Sequence, residues 1–332
     1  MKVALASAAS LCLLLAAAWL TAAEPAALED LRINQLQFIG THNSYHVRAA
    51  TASKEGVREW KYSHAPLEVQ LDRGVRSLEL DLHYRNGDFE VFHVPLLDEG
   101  TTCRRLTDAL ATVRRWSDAH PRHVPISILF ELKKEGPRLD ARIREVDAAG
   151  LEKLDGLLRA AFPPERRIAP DDVRSGAAML RQAVESGGWP TLAASRGKVL
   201  FILHDDEKQR DLYTRDHPSL AGRVMFVRSD DQRDDGATLV LDDPRSPDIK
   251  RLVEAGYFIR TRADAGLRAE TRGGRLRRDL ALDSGAQIVS TDFPTGEAQQ
   301  ETGYTVALPE AAPARVNPVN GPEALRGQAV AE

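Results

Sequence analysis

Leu78-Glu79-Leu80-Asp81-Leu82-His83 decides the reading of this chain. Alternate side chains of a β-strand share a face, so Glu79 and Asp81 point one way and Leu78, Leu80 and Leu82 the other. Two carboxylates this close on one inward face repel and raise each other's pKa unless a cation lies between them, which makes a divalent metal the simplest explanation. A polar outer face of an edge strand is the competing explanation of the same six residues.

Three further stretches carry an apolar run that ends polar: Phe38-Ile39-Gly40-Thr41-His42-Asn43, Glu90-Val91-Phe92-His93, and Ile126-Ser127-Ile128-Leu129-Phe130-Glu131-Leu132-Lys133. Buried parallel strands read as near-continuous apolar runs, and in a barrel of such strands the functional groups stand at the carboxyl ends. His42, Asn43, Glu79, Asp81, His93 and Glu131 are therefore expected at one mouth.

The rest of the body alternates strand-like and helix-like segments, the pattern of an α/β fold with a parallel sheet. Strands are expected at Lys198 to Leu203, Arg223 to Val227, Tyr257 to Thr261 and Gln287 to Thr291. Helices are expected at Cys103 to Ala119, Asp140 to Phe162, Gly176 to Glu185, Pro247 to Ala255 and Leu267 to Ser284. That makes seven clear barrel strands, and Phe89 to His93 is either the eighth or the return arm of a hairpin turned by Asn86-Gly87. A single-domain TIM-type (β/α)8 barrel, not necessarily regular, is the expected fold.

With 332 residues, 42% hydrophobic and 28% charged, the chain has the composition of a globular protein. A formal charge of −4 and the lack of a long basic tract give no case for a nucleic-acid partner. Residues 1–23 read as a secretory signal, with Lys2, an apolar Leu11 to Leu20 and a small-residue Thr21-Ala22-Ala23 end; an uncleaved anchor over Val3 to Ala23 is the alternative. Export would remove Cys12 and leave Cys103 with no partner for a disulfide. Residues 24–318 form the expected barrel, and 319–332 an irregular or disordered tail.

Gly40-Thr41-His42-Asn43-Ser44-Tyr45, Leu78-Glu79-Leu80-Asp81, Phe92-His93 and Phe130-Glu131-Leu132-Lys133, in that order, resemble the secreted bacterial calcium-dependent phosphatidylinositol-specific phospholipase C family. Ile288 to Pro294 and Pro313 to Pro318 extend the resemblance, with Val316 where that family is expected to carry a cysteine. The resemblance implies Ca2+ held by Asn43, Glu79, Asp81 and Glu131, with catalytic His42 and His93 flanking a phosphodiester. It also implies cleavage of phosphatidylinositol to diacylglycerol and a cyclic inositol phosphate, by a monomer that touches a membrane surface transiently. The residues agree, since three carboxylates and an amide oxygen make a hard-cation donor set. No basic residue stands at positions 79, 81 or 131, where calcium-independent relatives would carry one.

Lys133, two residues beyond Glu131 on the same face, is the candidate for binding the phosphate or a ring hydroxyl; Arg260 and Asp292 end later strands and are candidates for the same mouth. His46 lacks a third ligand at zinc-like spacing. His83 reads equally as a support for the site or as surface, and His64, His120, His123, His204 and His217 read as structural or solvated. The membrane contact is expected in Val47 to Lys61, with Arg48, Lys54, Arg58, Trp60 and Lys61, unless Trp60 turns inward. Two other functions use such a barrel: a glycerophosphodiester phosphodiesterase or sphingomyelinase-D-like enzyme, and a non-catalytic lipid binder. The first typically has a different run after the first histidine, and the second has no use for so complete a set of catalytic residues.

Overall fold

The computed structural model describes residues 27–48, 60–134, 136–205, 207–264 and 272–332. Its strands are β1 (Leu36–Thr41), β2 (Ser77–Arg85), β3 (Asp88–Val91), β4 (Ile126–Leu132), β5 (Ile143–Arg144), β6 (Arg167–Ile168), β7 (Val199–Leu203), β8 (Met225–Val227), β9 (Thr238–Val240), β10 (Phe258–Arg262), β11 (Ile288–Thr291), β12 (Ala314–Val316) and β13 (Ala329–Val330). Parallel pairing runs β8-β7-β4-β2-β1-β11-β10-β9. The Arg228–Thr238 bridge joins β8 to β9, helped by Thr238 Oγ1 donating to the Val227 carbonyl at 2.7 Å. These eight strands curl into an irregular TIM-type barrel: among the described residues no helix separates β8 from β9, and that seam is closed only by the single bridge.

The eighth strand is Thr238–Val240, not Phe89 to His93. Three residues flanked by Asp-rich loops carry too little apolar run to announce a strand. Residues 88–91 are the return arm of a hairpin, in antiparallel register with Leu82 to Arg85. Asn86 and Gly87 turn it with φ of 53° and 86°, the two left-handed residues that a tight hairpin turn of this hand requires. The hairpin carries β2 past the end of its pairing with β4 at Leu82.

Gly40 sets the packing of the first barrel strand. A Cβ there would lie 2.7 Å from Ser77 Cβ and 3.0 Å from Ile288 Cγ2, so only glycine lets β1 sit between β2 and β11. Outside the strands, the helix Leu106–Ala119 buries Leu106, Ala109, Leu110, Val113 and Trp116, one apolar stripe at helical spacing. Cys103 precedes it, half-buried against the core with a free thiol.

The helix expected from Asp140 begins only at Ala148, where the Asp147 side chain accepts from the Gly150 amide at 2.8 Å as an N-cap. Before it, β5 pairs with the end of β2, and Asp140 is held 2.8 Å from Arg85. The segment expected as a helix from Leu267 lies outside the described residues up to 271 and is helical over Arg272–Asp283.

The tail, residues 319–332, expected as irregular or disordered, is largely irregular and packs on the barrel. Here β12 pairs with the start of β1, β13 pairs with β12, and Val330 is buried. Glu332 Oε1 accepts from Arg76 Nε at 2.7 Å and from the Val124 amide at 2.8 Å, so the last residue closes the floor of the barrel opposite the mouth.

Candidate active site at the barrel mouth

The carboxyl end of β1 is stitched to the middle of β2. Ser44 Oγ accepts from the Glu79 amide at 2.8 Å, and the Ser44 amide donates to the Glu79 carbonyl at 2.9 Å. Gln70 closes the same loop, taking a bond from Thr41 Oγ1 at 2.8 Å and giving one to the Ser44 carbonyl at 2.6 Å. Asn43 is thereby held at φ 48°, a left-handed conformation that asparagine tolerates better than most residues. Its side-chain oxygen is left over: Asn43 Oδ1 is buried with no hydrogen-bond partner.

On β2, Asp81 is in direct register with Glu131 of β4, two like charges across one ladder. Lys133 offsets them, with Nζ 2.9 Å from Glu131 Oε1 and 3.2 Å from Asp81 Oδ2. Burial nevertheless pushes Asp81 up to about 7, against the pull of Lys133 and with Glu131 and Glu79 adding to the rise. Burial also opposes the Lys133 charge, but Asp81 and Glu131 more than reverse this and hold the ammonium well above its ordinary value. Glu79 has its own counter-ion, Arg260 of β10, at 2.6 Å. So although no basic residue replaces Glu79, Asp81 or Glu131, two cations reach these carboxylates from neighbouring positions.

Both predicted histidines sit at this mouth, and each is gripped by a carboxylate through Nδ1. His42 Nδ1 bonds Asp292 Oδ1 at 2.9 Å, with Arg262 bracing the other Asp292 oxygen at 3.1 Å. His42 Nε2 is then left facing Glu79 Oε1, 4.0 Å away. Burial and the nearby Arg262 hold this imidazole well below its ordinary pKa. His93 Nδ1 donates to Asp98 Oδ2 at 2.9 Å. The same oxygen takes a bond at 2.8 Å from His46 Nε2, while His46 Nδ1 donates to the Tyr62 carbonyl at 3.0 Å. Burial alone would raise Asp98, but the bonds from His46 and His93 bring it down to about 2.

The residues around this pair act as supports. His83 is buried, stacked on Phe92 with ring centroids 4.0 Å apart, and donates Nε2 to the His93 carbonyl at 3.1 Å. His64 bonds Glu297 at 2.6 Å and the His42 carbonyl at 3.0 Å. Trp60 is half-buried and turned inward, its ring edge-on to His93 at 5.3 Å; positions 49–59 of the proposed membrane loop lie outside the described residues.

The structure thus brings together all seven residues singled out from the sequence: His42, Asn43, Glu79, Asp81, His93, Glu131 and Lys133. It adds Asp98, Arg262, Tyr62 and His46, which sequence reasoning missed or set aside, and gives Arg260 and Asp292 definite partners. His204 also departs from its structural reading, because a ring nitrogen lies within 4.8 Å of ligand atoms of Glu79 and Glu131. His120, His123 and His217 bond backbone carbonyls of their own neighbourhoods, as expected of structural histidines. One signal for the missed Arg262 was available: it alternates with Arg260 on β10 as Asp81 does with Glu79 on β2.

The donors fit a hard divalent cation. Asn43 Oδ1 and Asp81 Oδ1 are buried oxygens with no hydrogen-bond partner, Asp81 stands in register with Glu131, and ligand atoms of Glu79 and Glu131 lie within 4.8 Å of one another.

A family model described as phosphoinositide phospholipase C, Ca2+-dependent, matches residues 31–87 and 83–318. Among solved structures, the chain is similar to a calcium-dependent phosphoinositol-specific phospholipase C from a Pseudomonas species, an apo form in complex with myoinositol. The TM-score is 0.56 at 20% identity, over 80% of this chain and 92% of that one. It is similar in the same degree to a Ca2+-dependent phosphatidylinositol-specific phospholipase C from Streptomyces antibioticus, with a TM-score of 0.56 at 22% identity, over 79% of this chain and 95% of that one. No curated protein sequence matches.

Proposed function

The chain belongs to the calcium-dependent phosphoinositide phospholipase C family and is a phosphodiesterase of that class, and from this premise we propose that it cleaves phosphatidylinositol to diacylglycerol and a cyclic inositol phosphate. The observation that supports the reading is the presence, at the mouth that carries Glu79, Asp81 and Glu131, of two histidines each fixed through Nδ1 by a carboxylate.

In this reaction the inositol 2-hydroxyl attacks phosphorus, the bond from phosphorus to the diacylglycerol oxygen breaks, and one proton moves from the attacking to the leaving oxygen. His42, held neutral by burial and Arg262, suits the base that takes the hydroxyl proton at Nε2. The acid role falls to His93, whose Nδ1–H is anchored on ionised Asp98 and whose Nε2 is left for the leaving oxygen. Lys133, already between two carboxylates, is the cation placed to meet a substrate phosphate. Asn43, Glu79, Asp81 and Glu131 would hold calcium, which would supply Lewis-acid stabilisation of the attacking hydroxyl and of the charge growing on the phosphate.

The protein acts as a monomer outside the cytoplasm, after removal of residues 1–23. Product analysis with phosphatidylinositol and with glycerophosphocholine tests the substrate reading. Cyclic inositol phosphate from the first and no product from the second is expected; turnover of glycerophosphocholine alone would assign the barrel to the other phosphodiesterase class. Amino-terminal sequencing of exported protein should begin near Glu24, and a start at Met1 would refute the processing.

A further inference from the structure

His46, His93 and Asp98 bring three metal-binding atoms within 4.8 Å of one another, and none of the three belongs to the oxygen cluster of Asn43, Glu79, Asp81 and Glu131. Asp98 Oδ2 takes both contacts, from His46 Nε2 at 2.8 Å and from His93 Nδ1 at 2.9 Å. The two imidazoles reach it from different directions, with ring planes 90° apart and centroids 6.0 Å apart. The sequence offers His46 no third ligand at zinc-like spacing; the fold supplies two, from the end of the β3 arm and from the turn after it. Bonds of about 2.0–2.1 Å at tetrahedral angles set donor atoms about 3.3 Å apart, so an ion needs these contacts to open by only about half an ångström.

The surroundings of the cluster are those of a metal site. His46 Nδ1 is committed to the Tyr62 carbonyl at 3.0 Å, which leaves Nε2 as the nitrogen aimed at Asp98. Zinc-binding histidines are oriented in this way, because the backbone carbonyl fixes the tautomer whose lone pair faces the metal. Both ring nitrogens of His46 face oxygens, so the contact with Asp98 needs a proton on Nε2 whose place a cation can take. The His46 and Asp98 side chains expose 0% and 1% of their surface and that of His93 exposes 17%, so two ligands are fixed and dry and the third opens to the mouth. Resting, for its consequence, on the reading of His93 as the acid, we propose that His46, His93 and Asp98 form an inhibitory site for zinc, separate from the calcium site. Ligand type sorts the two ions: two imidazoles and one carboxylate suit zinc, while three carboxylates and an amide oxygen suit calcium. Zinc displaces the protons on His46 Nε2 and His93 Nδ1, and His93 is left with a proton on Nε2 alone. With Nδ1 on the metal, His93 cannot become the imidazolium that gives its proton to the leaving oxygen, so turnover stops.

The test is zinc uptake by the full chain in excess calcium, without substrate, read by competition with a chromophoric chelator. The parent should take up zinc, and cobalt in its place should give the strong visible absorption of a tetrahedral ion. His46→Gln, which can still donate to Asp98, should weaken zinc on the order of 10²-fold or more, since loss of even a ligand's supporting partner costs up to about that much. His93→Ala should do the same, and serves if the first variant does not fold. His204→Gln removes the nitrogen of the other cluster at the mouth, with Glu79 and Glu131, and should bind zinc as the parent does. Zinc should also stop formation of the cyclic product without moving the calcium midpoint, and a chelator that takes zinc but spares calcium should restore it. No zinc uptake in excess calcium, parental affinity in the His46 and His93 variants, a loss in His204→Gln alone, or zinc saturation with turnover unchanged would each overturn the proposal. A parent that binds zinc through His46 and His93 but cleaves no phosphoinositide would uphold the site while refuting the substrate reading.

Discussion

Arg260 and Glu79 meet inside the barrel: Nη2 stands 2.6 Å from Oε2, and neither side chain exposes more than 3% of its surface. Removing one partner of such a buried pair typically costs about 3–5 kcal/mol, because the other charge is left in a poor solvent. Arg260→Met should therefore melt well below the parent in chelator. Calcium, held by the freed carboxylate, should return part of the loss, so the calcium-induced rise in melting temperature is expected to be larger in the variant. An equal rise in both proteins would mean that Glu79 does not face the ion.

The Asp98 carboxylate is expected to act through His93, not on substrate. Asp98→Asn keeps the shape but loses the charge that fixes the Nδ1–H of His93. It should lower kcat on the order of 10²-fold or more, the scale of general acid–base catalysis, with KM little changed. Asp292→Asn should do the same through His42. Steady-state kinetics on a soluble substrate separates this from a binding role, in which KM would move instead.

Asp81 gives a pH dependence of known sign. With its folded value raised to about 7 from an ordinary 3.8, the metal-free protein binds a proton between those limits that the unfolded chain has lost. Its contribution is therefore full below the unfolded value and disappears as pH rises through about 7, so it makes the metal-free protein less stable at pH 8 than at pH 5.5. Calcium must displace that proton, so affinity should rise from pH 6 to pH 8 and binding at pH 6 should release a proton. Calorimetry in two buffers of different ionisation enthalpy measures the release; Asp81→Asn should abolish it, and a parent that releases none would refute the assignment.

Much of this site was legible because β-strands alternate. Glu79 and Asp81 on one face of a leucine strand, and Glu131 with Lys133 on another, fix directions as soon as the strands are recognised, and the structure puts Asp81 and Glu131 in register. The supporting carboxylates were not legible in the same way. Asp98 lies in a turn, where no periodicity says which way a side chain points, and Asp292 meets His42 across 250 residues of chain. Thr238–Val240 was missed as a strand because three residues carry no measurable period. Tail order depends on specific contacts, the pairing of β13 with β12 and of Glu332 with Arg76 and the Val124 amide, that composition cannot announce.

Cys103 is expected to be inert. Burial pushes its thiol up to about 11, so on the order of one thiol in a thousand is ionised at pH 8. Alkylation of the native protein at pH 8 should be slow and become fast on unfolding, and Cys103→Ala should retain full activity. Rapid labelling with loss of turnover would give the thiol a role that its surroundings do not support.

The central claim is that one mouth holds a metal through Asn43, Glu79, Asp81 and Glu131 and moves protons through His42 and His93. A calcium titration of phosphatidylinositol cleavage, run on the parent and on Glu79→Gln, Asp81→Asn, Glu131→Gln, His42→Ala and His93→Ala, tests it most directly. The three carboxylate variants should need more calcium and regain part of their activity at high concentration. The two histidine variants should lose on the order of 10²-fold or more in turnover with the calcium midpoint little changed. Full activity of the parent in excess chelator, or of both histidine variants at any calcium concentration, would contradict the account.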